Sequence, residues 1–116
     1  MKYKICLLLF FVHFIICRDA LGQDPEAFNR IYQSAYLEIA PKNPERALAI
    51  ADSLFKTSTE PKLKVKSLML SATLYQQQQK LSKSTALAEQ ALSIIEGTDD
   101  YNWKVRIWGF LATQYR

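Results

Sequence analysis

Residues 64–75, Lys-Val-Lys-Ser-Leu-Met-Leu-Ser-Ala-Thr-Leu-Tyr, return forty positions later as Lys-Val-Arg-Ile-Trp-Gly-Phe-Leu-Ala-Thr-Gln-Tyr at 104–115. Five of the twelve positions are identical, and Lys66 is matched in charge by Arg106. A second offset, of 37, maps Ile31, Ser34 and Ala35 onto Leu68, Ser71 and Ala72, and Ala47, Ala51 and Leu54 onto Ser84, Ala88 and Ala91. The two offsets differ by three residues, the size of a loop insertion. A chain that repeats itself at this period builds one local unit several times. A unit that cannot cover its own apolar face must stack on the next.

The units read as helices. Asp24-Pro25-Glu26 supplies an N-cap, a proline suited to the first helical position and an acid at the positive end of the dipole. Phe28, Ile31, Tyr32, Ala35 and Ile39 then fall on one predicted face, and Ala40-Pro41-Lys42 breaks the helix. Asn43-Pro44-Glu45 repeats the start signal, with Ala47, Ile50, Ala51 and Leu54 inward, and Lys56-Thr57-Ser58-Thr59 ends that helix. Glu60-Pro61 opens a third, with Val65, Leu68, Ala72 and Tyr75 inward, and the run Gln76 to Gln79 reads as its solvated end. Ser82 is the expected cap of a fourth, striped by Ala88, Ala91, Leu92 and Ile95, with Gly97 expected as a left-handed C-cap. Thr98-Asp99-Asp100 caps a fifth, expected to turn Trp108, Leu111, Ala112 and Tyr115 inward. No segment alternates as a strand would, and loops this short make neighbouring helices antiparallel.

These residues resemble the tetratricopeptide repeat family, whose first helices carry Trp-x-x-Leu-Gly-x-x-Tyr and whose second helices carry small residues. Trp108, Leu111, Ala112 and Tyr115 match the first-helix motif with Ala in place of Gly. Leu68, Ser71, Ala72 and Tyr75 match more loosely; Ile31, Ser34 and Ala35 follow, with Glu38 where Tyr is usual. Ala47, Ala51 and Leu54, then Ser84, Ala88 and Ala91, fit the second helices. The resemblance spans residues 25–116 and implies an all-α solenoid of antiparallel helix pairs, about two and a half repeats long. In such a stack Ala35, Ala72 and Ala112 let paired helices cross closely. Ala51 and Ala88 do so from the other side, while Trp108, Tyr75 and Leu68 fill the space between pairs. On this reading the second helix of the third repeat is missing after Arg116, and the natural polypeptide is expected to continue.

The N-terminus reads differently. Lys2 and Lys4 precede an apolar run at 5–17, whose thirteen residues would rise about 20 Å as a helix, short of a ~30 Å hydrocarbon core. A signal peptide needs only this length, and Ala20-Leu21-Gly22 offers a cleavage site after Gly22. Residues 1–22 are therefore expected to be a signal peptide and 23–116 the repeat domain. Lipidation of Cys17 and an uncleaved anchor are the alternatives; the large Ile16 disfavours the first, and the short run with His13 the second. An export signal implies a periplasmic or otherwise extracytoplasmic location. It also makes any membrane association a property of this segment or of a downstream helix.

Removing 1–22 leaves 12 Lys+Arg against 10 Asp+Glu, and no Cys or His. A net charge of +2 is no footprint for nucleic acid, so this segment is expected to make no direct contact with it. A chain without thiol or imidazole has no disulfide, no thiolate nucleophile, no imidazole base and no nitrogen or sulfur zinc ligand. Asp99-Asp100 reads as a helix cap, not a metal pair. Ser67, Ser71 and Thr73 lack a histidine base, and a Ser–Lys pairing with Lys64 or Lys66 has no preformed cleft. The expectation is a non-catalytic protein with no cofactor and no metal.

The resemblance implies a ligand peptide in the groove lined by first helices. Carried over position by position, that groove holds Asn29, Tyr32 and Tyr36; then Lys66, Met69, Thr73 and Gln76; then Arg106, Gly109 and Thr113. Lys66 and Arg106 would favour an acidic segment or a chain terminus. The expected role is protein or peptide binding. An alternative is the outer sensor of a membrane-tethered bacterial regulator whose helix-turn-helix domain lies downstream.

Overall fold

The computed structural model describes residues 24–115. The segment at 1–22, its cleavage after Gly22, and Cys6, His13 and Cys17 lie outside the described residues. What is described is all-α and without strands: α1 (Pro25–Gln33), continued by a π-helical stretch (Ser34–Ile39), α2 (Pro44–Thr57), α3 (Pro61–Gln77), α4 (Leu81–Glu96) and α5 (Tyr101–Gln114).

The start signals act as their chemistry dictates. The Asp24 carboxylate accepts the Glu26 N–H at 3.0 Å, and Asn43 accepts the Arg46 N–H at 3.1 Å, each beside a proline at the first helical turn. Asp100 accepts the Trp103 N–H at 3.2 Å, and the Thr98 hydroxyl accepts the Asp100 N–H at 3.2 Å. Each bond satisfies a backbone donor that a helix start otherwise leaves bare. Ser82 does not cap α4: that helix begins one residue earlier, at Leu81, and Lys80 precedes it without a side-chain cap bond. Gly97 is not left-handed either; its φ is −75°. The left-handed residue is Gln79, at φ 63°, where Lys80 N–H reaches back to the Tyr75 carbonyl at 2.9 Å and closes α3.

The first helix keeps its expected length but changes pitch. Ala40 N–H donates to the Ala35 carbonyl at 2.8 Å, five residues back, and the chain then turns through 40–42 ahead of α2. Phe28 and Ala35 are buried, and Tyr32 and Ile39 half-buried. Ile31, expected inside, is exposed. Among the described residues no helix precedes α1 to cover that flank, and Ile31 lines a cleft of about 360 Å³ with Ala27, Arg30, Ser34, Ile39 and Ile50.

The interior is organised by α3. Leu70 and Leu74 pack with Ala35, Ala40, Ala47 and Ala51; Leu63 packs with Phe28 and Leu54. Val65, Leu68, Met69 and Ala72 join Ala88, Ala91, Ile95, Trp103, Ile107 and Leu111 on its other flank. One helix thus shares in all three clusters, because α2 covers one side and α4 the other. Burying a side chain of this size contributes roughly 1.5–3 kcal/mol. The close approach of α3 and α4 is set by small residues: Ala72, Ala88 and Ala91 are fully buried. The buried Ser84 hydroxyl donates to the Ala72 carbonyl at 2.7 Å and accepts the Gln114 side-chain amide of α5 at 2.9 Å.

The last helix departs from expectation. Leu111 is buried, but Trp108, Ala112 and Tyr115 face outward, and Trp103, Ile107 and Leu111 occupy the interior instead. The Tyr115 hydroxyl donates to Glu89 at 3.1 Å on the surface. The reason is position: α5 packs on α4, and no described helix covers its other side. Tyr75, also expected inside, is half-buried at the solvent end of α3.

Candidate functional site

Helix α1 with its π-helical continuation, α3 and α5 carry the residues assigned to the groove, and the structure brings part of that set together. Asn29 and Tyr32 lie on successive turns of α1, held by the buried Phe28 beside them. Lys66 lies on α3 between the buried Val65 and Ser67, and Arg106 on α5 next to the buried Ile107. In each helix a core residue one position away fixes the side chain's direction.

Lys66 is the centre. Its ammonium donates to Asn29 Oδ1 at 2.9 Å and lies 5.9 Å from the Phe28 ring centroid and 5.8 Å from that of Tyr32. Those two rings stack with centroids 6.1 Å apart. A cation over aromatic faces is attracted by their negative quadrupole, which tethers Lys66 to α1 across the α1–α3 boundary. Arg106 spreads its guanidinium over the Trp103 ring at 5.0 Å.

The electrostatics show one patch. Partial burial lowers the Lys66 ammonium below its ordinary range, and the positive charges of Lys62 and Arg106 lower it further. Burial raises the Tyr32 phenol and Tyr36 raises it again, while Arg106 pulls it back down. Lys62, Lys66 and Arg106 therefore share a field with Tyr32 and Tyr36, and among the described residues neither Lys66 nor Arg106 is ion-paired. The ion pair that is present, Lys56 with Asp52 at 2.9 Å, sits exposed on α2.

Asn29, Tyr32 and Lys66 are thus one constellation, whose charges Tyr36 and Arg106 influence from nearby. The rest of the assigned groove is not drawn into it. Met69 is a core residue, 7% exposed, because α3 is covered on both flanks; its assignment to the groove is incorrect. Thr73 is half-buried and bonds back to the Met69 carbonyl at 2.8 Å. Gln76 is half-buried at the end of α3; Gly109 and Thr113 are exposed on α5. Sequence reasoning missed Lys62, Phe28 and Trp103. Lys62 lies one helical turn before Lys66 and Trp103 one before Arg106, a spacing that places each beside the cation it affects.

Two clefts among the described residues lie elsewhere, one at Ile31 as described and one of about 540 Å³ between Asn43, Leu48, Tyr75 and Lys83. Among the described residues no three His, Cys, Asp or Glu side chains gather as metal ligands would, and no helix is long and apolar enough to cross a membrane. No protein-family model matches the chain, and no curated protein or solved structure matches it.

Proposed function

We propose that this chain is an exported, non-catalytic tetratricopeptide-like module that binds an acidic peptide segment of a partner protein across α1, α3 and α5. One observation carries the reading: the Lys66 ammonium of α3 meets Asn29 and Tyr32 of α1 and feels the charge of Arg106 on α5, with neither cation ion-paired to a carboxylate among the described residues. A carboxylate-bearing segment would meet charge from Lys66 and Arg106, and flat apolar area from Tyr32 and Tyr36. The repeat of helix α3 in α5 supports the solenoid reading, because Lys66 and Arg106 are equivalent positions forty residues apart. Export is supported by the basic start and the apolar run at 5–17.

The test is fluorescence anisotropy with a labelled ten-residue peptide rich in Glu. The parent binds it with a steep loss on adding salt, as screening demands. Lys66→Glu with Arg106→Glu abolishes binding while leaving the helical circular dichroism unchanged at a temperature well below melting. Equal binding by parent and double variant refutes the proposal.

A further inference from the structure

We propose that the cleft between the starts of α2 and α4 is a second binding site, taking a small phosphate-bearing molecule. Its charge is the first observation. Lys42, Lys80 and Lys83 line it together with Glu45, so three ammonium groups meet one carboxylate. Among the described residues none of the three lysines is ion-paired with that carboxylate or with any other. Two chain reversals bring them together. Lys42 sits in the turn before α2, where its N–H donates to the Ile39 carbonyl at 3.0 Å. Gln79, at φ 63°, swings the chain back over the end of α3, so that the Lys80 N–H meets the Tyr75 carbonyl at 2.9 Å. Lys83 follows in the first turn of α4.

Tyr75 holds two of these cations side by side. The Lys80 and Lys83 ammonium groups lie 6.0 and 5.5 Å from its ring centroid. The ring attracts each of them, but two like charges on one ring repel each other. An anion seated between them turns that repulsion into attraction. Shape and donor chemistry select the anion. The cleft encloses about 540 Å³, the size of a small-molecule site, and Leu48 with the Tyr75 ring gives it an apolar wall. Its cationic lining is all lysine, without arginine. A carboxylate is matched by arginine's planar fork, whereas a phosphate group accepts compact ammonium donors from several directions. The site is separate from the peptide surface proposed above, since Asn29, Tyr32 and Lys66 do not line it.

Amide NMR of the full chain titrated with inorganic pyrophosphate at low salt tests this. Shifts should concentrate at Lys42, Lys80 and Lys83, with a dissociation constant on the order of 1 mM, as suits exposed charges. Lys80→Gln with Lys83→Gln should weaken binding about tenfold, and Glu45→Gln should tighten it about twofold. Lys56→Gln with Lys104→Gln removes the same charge outside the cleft and should change affinity by less than about twofold. Equal weakening by the two double variants shows a response to net charge only and overturns the site. So does the absence of shifts at these residues up to about 10 mM pyrophosphate. Malonate binding as tightly as pyrophosphate overturns the choice of phosphate. Phosphatidylcholine vesicles containing phosphatidic acid should not co-sediment with the chain; co-sedimentation that the Lys80 and Lys83 changes abolish moves the phosphate to a lipid headgroup and overturns the small-molecule assignment.

Discussion

Ala72→Leu tests the packing at its tightest point. Ala72 has no exposed surface, and its carbonyl accepts the Ser84 hydroxyl at 2.7 Å across the α3–α4 crossing. Ser84 in turn holds Gln114 of α5 at 2.9 Å, so one contact registers three helices. Leucine would add three carbons where Ala88 and Ala91, both fully buried, line the same cluster. Overpacking of this kind costs about 1–3 kcal/mol. Separating the helices enough to admit the side chain also removes the Ser84 bond, for about 1 kcal/mol more. A loss of about 2–4 kcal/mol is a large part of the ~5–15 kcal/mol that stabilises a domain. At roughly 4–8 °C per kcal/mol in a domain of this size, melting followed by far-ultraviolet circular dichroism should fall by at least about 8 °C. Ala86→Leu is the control: it lies on α4 but is exposed, so melting should move by no more than about 2 °C. If Ala72→Leu melts within about 2 °C of the parent, the close crossing is not what holds α3 to α4.

Leu70→Ala, at a position 1% exposed between α1, α2 and α3, should lower the unfolding free energy by about 2–5 kcal/mol in a urea titration. Asp100→Ala removes the acceptor for the Trp103 N–H and should cost about 1 kcal/mol by the same titration, without altering the helical content of α1 to α4. Gln79→Gly relieves a side chain held at φ 63° and should raise the melting temperature, by up to about 1 kcal/mol of stability. The pH dependence of peptide binding follows from Lys66. Its ammonium is held below the ordinary 10.5 by burial first and then by Lys62 and Arg106, so the charge is present at neutral pH and lost as pH rises through that lowered value. Affinity for the acidic peptide should therefore decline earlier in alkaline titration than an ordinary lysine predicts, and Lys66→Arg should move the decline to higher pH.

The helices were readable because their punctuation is local. Asp24-Pro25, Asn43-Pro44 and Asp100 act on backbone groups two or three residues away, and no tertiary partner is needed to make that work. The misread boundaries lie where local chemistry is indifferent. Nothing near Ser82 distinguishes a cap from a first-turn residue, and Gly97 can serve a left-handed turn without requiring one. Gln79 took the left-handed conformation because the chain must reverse within three residues between α3 and α4, a demand made by the neighbouring helices, not by glutamine. The site divides the same way. Spacing placed Lys66 and Arg106 at equivalent positions, and the fold turns Lys66 onto Asn29 of α1 while Arg106 lies over Trp103 of its own helix. It could not show Met69 as core, since a helix covered on two flanks buries positions that a one-sided stripe leaves out.

That distinction also explains α5. It has two apolar stripes, Trp103-Ile107-Leu111 and Tyr101-Val105-Trp108-Ala112-Tyr115, set on opposite sides by helical spacing. The motif shared with α3 runs through the second stripe, so repetition alone assigns Trp108 to the interior. In α3 both stripes are buried because α2 lies on one side and α4 on the other. In α5 the single described neighbour, α4, takes the first stripe. Equivalence under the repeat identifies which positions can be covered; the number of neighbours decides which are. Exchanging the two tryptophans' roles is therefore a consequence of which helices flank α5, and Trp103→Ala should destabilise the protein by about 3–5 kcal/mol, whereas Trp108→Ala should leave it nearly unchanged. Equal losses in dilute urea titrations would show that α5 is covered on both sides within one chain, and would return Trp108 to the core.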